Sequence, residues 1–249
     1  MNEALQRVEL LIGEAGIKTL NDACVLIAGV GGVGSFAAES LARSGIGTLI
    51  LVDADTVAES NLNRQIHAVY TTIGKAKTHV MAERIHSFNR DCKVIEKPLF
   101  YSAAVNDEIF DQPIDFVIDC IDTITSKADL IEACKARNIP FISSMGMANR
   151  FDPTKIEICD LMKTANDPLA KVMRNIVRKR RIKGKIPVIF SKELPITQTR
   201  VINEEGKTRK EKMPPASTSF VPAAAGLSAG SYVVRELMKK AEIKPYCNN

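Results

Sequence analysis

The sequence predicts an α/β fold: a mainly parallel sheet with helices on both faces, then a C-terminal extension of further strands and helices. Three observations predict it. Short apolar runs alternate with longer amphipathic stretches through residues 1–147, the pattern of strands joined by crossover helices. The first run leads through a glycine-rich loop straight into the first amphipathic stretch. Finally, 45% hydrophobic and 25% charged residues over 249 positions provide an ample core, which argues against a disordered chain.

The elements follow in order. Residues 24–30 (CVLIAGV), 48–53 (TLILVD), 93–96 (KVIE), 116–121 (FVIDCI) and 140–143 (PFIS) read as strands. Residues 33–43, 75–88 and 125–137 carry apolar positions at helical spacing; in the middle one Val80, Met81, Arg84, Ile85 and Phe88 form the face. Beyond Gly146 the pattern changes. Residues 155–159 (KIEIC) and 188–191 (VIFS) predict additional strands. Residues 167–183 predict a helix with Asp167 as N-cap, Pro168 in its first turn and Gly184 as its stop. Residues 203–215 lack a hydrophobic pattern and predict a surface loop, and a last helix is expected from about 223 to 240. The expected division is a core over 1–147 and an extension over 148–249, within one continuous domain.

Several classes are disfavoured at once. No apolar run approaches the roughly 20 residues of a membrane-spanning helix, and Met1-Asn2-Glu3 lacks the basic start of a secretory signal. A cytoplasmic protein without a membrane partner is expected. The six cysteines, at 24, 92, 120, 134, 159 and 247, include no CxxC pair, which disfavours zinc knuckles and thioredoxin-type chemistry. Cys24 and Cys120 lie in apolar runs and are expected to be buried thiols. Net charge is +5 but uneven: residues 168–212 hold 14 Lys or Arg against 4 Asp or Glu. Such asymmetry points to a polyanionic partner.

The loop Gly29-Val30-Gly31-Gly32-Val33-Gly34 is where chemistry becomes readable. Glycines between a strand and a helix allow a tight turn and let backbone N–H groups approach phosphate, and the helix N-terminus favours an anion. The sheet is therefore expected to be Rossmann-like, with Asp53 at the end of the second strand reaching a ribose. NAD and ATP both fit so far. The following charged residues favour ATP: Asp55, Ser60-Asn61-Leu62-Asn63-Arg64-Gln65 and Lys77 surround the loop in sequence. Attack on an α-phosphorus needs cations to neutralise the departing pyrophosphate, whereas hydride transfer does not. Asp122, just past the fourth strand, could hold Mg2+ against phosphates.

Together GVGGVG at 29–34, LVDADTVAESNLNRQ at 51–65, IGKAK at 73–77 and DCIDT at 119–123 resemble the ubiquitin-activating-enzyme-like adenylyltransferases. That family includes the molybdopterin- and thiamine-biosynthesis activating enzymes. The resemblance implies an ATP site in which Gly31, Gly32 and Gly34 line the adenylate and Asp53 holds the ribose. It further implies Asn61, Arg64 and Lys77 on the phosphates, Asp122 on Mg2+ and Asp55 near the metal. Arg64, Lys77 and Asp122 are thereby the expected catalytic groups, for attack of a substrate carboxylate on ATP.

Two carboxylates compete within this family. One is the C-terminal glycine of a ubiquitin-like sulfur carrier; enzymes acting on it commonly carry two CxxC pairs, which are missing from this sequence. Cys159 reads first as a half-buried strand residue and second as a thiol acceptor. The other carboxylate belongs to a modified tRNA nucleoside. NRQIHA at 63–68, KTHVMAERI at 77–85 and DLMKT at 160–164 followed by Asp167-Pro168-Leu169 resemble the tRNA threonylcarbamoyladenosine dehydratases over nearly the whole chain. These adenylate the threonyl carboxylate of N6-threonylcarbamoyladenosine and close it into a ring with loss of AMP. The resemblance also implies a homodimer and, as a protein partner, a cysteine desulfurase or another sulfur acceptor. A third class, a nicotinamide oxidoreductase or inert nucleotide sensor, would bind NAD rather than ATP.

With tRNA as substrate, the basic segment acquires a role. Residues 171–185 hold eight basic residues and no acid, and Arg174, Arg178, Lys179, Arg180, Arg181 and Lys183 are the expected phosphate contacts. Lys207, Arg209, Lys210 and Lys212 form a second cluster. His67 stands three residues after Arg64; on a helical turn both would face one pocket, where a neutral imidazole could accept a proton during ring closure. The family's N-terminal arginine motif, which reaches across to a partner's ATP, is absent from QRVELLIG at 6–13, so no residue is assigned to it. The apolar stretch 220–234 is compatible either with a subunit interface or with the core face of a helix.

Overall fold

The computed structural model describes residues 3–197 and 215–245. In chain order the principal elements are α1 (Gln6–Asp22), β1 (Cys24–Ala28), α2 (Gly34–Arg43), β2 (Thr48–Val52), α3 (Lys77–His86) and β3 (Lys93–Lys97). Then come α4 (Asn106–Ile109), β4 (Phe116–Asp119), α5 (Ile124–Ala136), β5 (Phe141–Ser144), β6 (Ile156–Asp160), α6 (Pro168–Arg180), β7 (Pro187–Ser191) and α7 (Phe220–Lys240). All seven strands share one sheet in the order β3-β2-β1-β4-β5-β7-β6. Every pairing is parallel except that of β6 with β7. The strands after residue 148 thus extend the same sheet.

Alternation within the strands builds the two faces. Val25 and Ile27 enter one cluster with α1, α2 and α7, while Leu26 and Ala28 enter the other with α5 and α6. Strand order reverses at β1: β2 lies on one side and β4 on the other. In open sheets of this kind, ligands bind beyond the carboxyl ends of the strands at that point. Helix α7 lies against α2 at very short range. A Cβ on Gly226 would stand 2.4 Å from the Val33 carbonyl oxygen, and one on Gly230 would stand 2.1 Å from Ser40 Oγ. The helix that opens the glycine loop is therefore braced from behind by the C-terminal helix.

Three expectations are corrected and one element is added. Helix α1 has no counterpart in the sequence reading; Gly13, at φ 75°, breaks it near its middle and blurs its periodicity. Helix α6 ends at Arg180 rather than at 183, because Arg181 itself adopts the left-handed conformation (φ 57°) and donates its N–H to the Val177 and Arg178 carbonyls. Helix α7 starts at Phe220, three residues early, with Pro222 accommodated in its first turn. Cys24 and Cys120 are only half-buried, although burial still pushes their thiols up to about 11 and about 12. The expected loop over 203–215 and its cluster of Lys207, Arg209, Lys210 and Lys212 lie outside the described residues, apart from Pro215.

Candidate active site at the glycine loop

The loop from Gly29 to Gly34 crosses the top of β1 where the strand order reverses. Two of its glycines are demanded by the fold. Gly29 has φ +91°, and a Cβ there would lie 2.7 Å from the Cys120 carbonyl oxygen on the neighbouring β4 turn; a Cβ on Gly34 would lie 1.8 Å from the Gly29 carbonyl oxygen. Gly31 differs: the nearest atom to its notional Cβ is Gln65 Nε2 at 4.0 Å. Its missing side chain leaves the backbone open to a ligand. Gly32 is intermediate, 3.2 Å from Pro222 Cβ and beside Arg64.

Asp53 ties the loop to β2. Its carboxylate accepts the Val30 N–H at 2.7 Å and the Asp55 N–H at 2.8 Å, and burial raises its pKa above the usual carboxylate range despite Lys77 opposing the shift. Lys77, the first residue of α3 and 6% exposed, donates to Asp55 Oδ2 at 2.6 Å and lies 4.0 Å from Asp53. A buried ammonium needs such partners, and this one stands where phosphates would be expected. Asn61 is buried, its side-chain carbonyl accepting the Ala58 N–H. Arg64 is partly exposed and reaches Ser60 O at 2.6 Å and Asn63 Oδ1 at 2.9 Å. Asn63 in turn donates to Ser217 O at 2.9 Å, so the segment before α7 rests on this turn.

Asp122 lies across the reversal point, in the turn after β4. Its carboxylate is exposed, and its recorded contact is a 3.5 Å hydrogen bond from Thr123 Oγ1. Beneath it is a network that the sequence did not disclose. Asp119, at the end of β4, accepts Lys127 Nζ at 2.8 Å, Ser143 Oγ at 2.5 Å and the Ile121 N–H at 3.0 Å. Lys127 is fully buried and also donates to Ser144 O. The network joins β4, α5 and β5 and shapes the backbone leading to Asp122. A lysine on the core face of α5 was its one signal, readable only with the helix phase known.

His67 does not share an open pocket with Arg64. No helical turn joins them, and the imidazole is 2% exposed. Neither ring nitrogen has a hydrogen-bond partner, and Thr78 Oγ1 and Gln65 Oε1 are likewise buried and unpaired. Burial, reinforced by Lys77 and Arg84, holds its pKa at about 4, so the ring is neutral.

On the far face, α6 presents the basic strip. Ala170, Met173 and Val177 are buried, which turns Lys171, Arg174 and Arg178 to one flank by helical spacing. Arg174 is partly engaged, donating to Thr164 O at 3.0 Å. Arg180 lies on the opposite flank and pairs with Asp129 and Glu132 of α5 at 2.6 and 2.7 Å. Arg178, Lys179, Arg181 and Lys183 are exposed. The eight cations are therefore unequal, because the two α5 carboxylates already neutralise Arg180.

Comparison with known proteins identifies the relatives of the chain. The chain is 49% identical over 249 residues to the tRNA threonylcarbamoyladenosine dehydratase of Bacillus subtilis, covering 98% of both sequences. A crystal structure of the Escherichia coli tRNA N6-threonylcarbamoyladenosine dehydratase in complex with ATP superposes with a TM-score of 0.86, at 34% identity and 96% coverage of each chain. The sulfur carrier protein ThiS adenylyltransferase of E. coli is 36% identical, but over 130 residues, 52% of this chain and 51% of its own. The ThiF family pattern matches residues 4–246, and the chain belongs to the ThiF family.

Proposed function

We propose that this protein uses ATP to adenylate the threonyl carboxylate of N6-threonylcarbamoyladenosine in tRNA and then closes the side arm into a ring. One observation carries the proposal. Similarity to the dehydratases runs the whole length, including the β6–β7 extension and basic α6, whereas similarity to the carrier-protein enzyme covers about half the chain. In the first step a carboxylate oxygen attacks the α-phosphorus; the bond to the β-phosphate bridging oxygen breaks and pyrophosphate leaves. In the second, a nucleophile within the carbamoyl arm attacks the activated acyl carbon. AMP leaves, one proton is lost, and the nucleoside is lighter by one water.

The roles follow from position. Gly31 and Gly32 let phosphates approach the loop, Gly34 lines it where contact with Gly29 admits no side chain, and Asp53 is set at the ribose end of β2. Lys77 and Arg64, with Asn61 beside them, neutralise charge gathering on the departing pyrophosphate. Asp122 offers a hard, exposed oxygen suited to Mg2+, which binds through one or two carboxylates and substrate phosphates; Asp55 can add a second by releasing Lys77 to phosphate. Bound there, Mg2+ would supply charge stabilisation on the phosphates. His67 supports a different role from the proton acceptor expected on sequence grounds. Buried, neutral and with no hydrogen-bond partner for either ring nitrogen, it packs in the interior three residues after Arg64.

The proposal includes a cytoplasmic homodimer. Leu227 on α7 is exposed beside the open edge strand β6, although Val221, Ala225, Ala229 and Val233 of the same apolar stretch are spent inside the core. A cysteine desulfurase or other sulfur acceptor belongs to the proposal as a docking partner; burial raises the thiol of the half-buried Cys159 above its ordinary pKa. No helix among the described residues is long and apolar enough to cross a membrane. The test is substrate dependence: AMP and pyrophosphate should appear with ATP and modified tRNA. Release driven instead by a small protein ending in glycine would favour carrier activation.

The basic strip gives a second expected result. Reversing Arg178 and Lys179 to Glu should weaken tRNA binding, lower its salt dependence and leave the KM for ATP unchanged, because both side chains are solvated and contact phosphate only. Arg180→Glu should behave differently. It places a third acid against Asp129 and Glu132, so α5–α6 packing suffers and the melting temperature falls. Filter binding over a salt series and thermal melts separate the two.

A further inference from the structure

Two aromatic rings stand in the open between the candidate nucleotide site and the basic helix. Phe151 and Phe220 meet edge to face with centroids 5.5 Å apart, yet they are 57% and 52% exposed. The chain has no Trp and only 5% aromatic residues, so two large rings left half in water are a notable outlay of apolar surface.

Their placement is fixed from both sides. Phe220 begins α7, two residues before Pro222, whose Cβ lies 3.2 Å from the notional Cβ of Gly32 in the phosphate loop. Ser217, three residues before it, accepts from Asn63 beside Arg64. Phe151 is held from the other direction. The preceding Arg150 is buried and pairs with Asp167, the N-cap of α6, and donates to Gly146 O. The Phe151 N–H itself donates to the Glu193 carboxylate. The pair thus bridges the Arg64 turn on one side and the start of the basic helix on the other.

We infer that Phe151 and Phe220 form an aromatic platform for the unpaired purine ring of the tRNA nucleoside whose carboxylate is activated, the base stacking on the open face of one ring and meeting the other, nearly perpendicular ring edge-on. The inference rests on the proposed function and names the part of the protein that grips the base. Single-stranded bases in RNA loops are recognised by stacking on aromatic side chains, while phosphates are held by basic groups alongside. Here the aromatic surface adjoins the site where adenylation would occur, and the exposed cations Arg178 and Lys179 stand at the other end of α6 from Asp167, roughly 16 Å along the helix axis, so a nucleoside on the rings points its side arm toward ATP while its strand runs along α6.

The test uses the full-length protein with ATP and modified tRNA. Phe151→Ala and Phe220→Ala, made singly, should each raise the KM for tRNA roughly five- to a hundredfold, the range expected from losing base stacking. The KM for ATP and the melting temperature should stay near wild type. Phe→Tyr at either position should restore the tRNA KM; Phe→Leu, apolar but unable to stack, should not. Equal rescue by Leu, an unchanged KM in the Ala variants, or loss of oligomeric mass by light scattering with parallel loss of activity would overturn the platform, the last in favour of a subunit contact. Wild-type protein that leaves modified tRNA untouched would instead refute the functional proposal itself.

Discussion

Asp122→Asn should lower turnover of modified tRNA roughly a hundredfold or more, the scale of removing a preorganised electrostatic group from the transition state, while leaving the fold intact. The two halves of this expectation come from the same observation. The carboxylate is exposed, and its recorded contact is a marginal hydrogen bond from Thr123; surface changes of this kind move stability by about 0.5 kcal/mol at most. Its place in the turn after β4, across the strand-order reversal from the glycine loop, is what would make it chemically valuable. AMP release at saturating ATP, paired with a thermal melt, checks both. Near-normal turnover would remove Asp122 from the metal and phosphate site.

Lys127→Met reverses that pattern and should damage stability first. Lys127 and Asp119 are 0% and 1% exposed. Removing the ammonium leaves a carboxylate buried with Ser143 and one backbone N–H for partners. Breaking a buried pair from one side costs about 3–5 kcal/mol, which for a chain of this size lowers the melting temperature by roughly 10 °C. The double variant Asp119→Leu/Lys127→Met separates packing from positioning. It should regain much of the stability, because an apolar pair can replace a buried ion pair, yet remain slow, because the Ile121 N–H has lost the acceptor that shapes the turn before Asp122. Recovery of both properties would reduce the network to a structural brace.

The contrast between these residues shows what was legible in the sequence. The glycine loop could be read because its demands are local: a strand, a tight turn and a helix within a dozen residues, with Gly29 and Gly34 required by contacts only glycine tolerates. Asp53, Arg64, Lys77 and Asp122 read in the sequence as an ordered set of charges following that loop, and of these the fold sets Lys77 within 4.0 Å of Asp53. Lys127 was not legible, because its partners lie eight residues before it and 16 or more after it in the chain and meet only when β4, α5 and β5 assemble. Arg180 misled for the same reason. A run of cations looks uniform until folding sets Asp129 and Glu132 against one of them. Helix α1 was hidden by Gly13 and Gly16 within a weakly patterned segment, and His67 by a turn that replaced the assumed helix. The aromatic pair joins residues 69 positions apart, a proximity that no local pattern announces.

A net dehydration of a tRNA nucleoside driven by adenylation changes the nucleoside's mass, and mass analysis of tRNA nucleosides reads that change. Modified tRNA incubated with the protein, ATP and Mg2+ should yield N6-threonylcarbamoyladenosine lighter by one water, with one AMP released per nucleoside converted. An unchanged nucleoside mass, with ATP intact or with AMP released only on addition of a carrier protein, would contradict it.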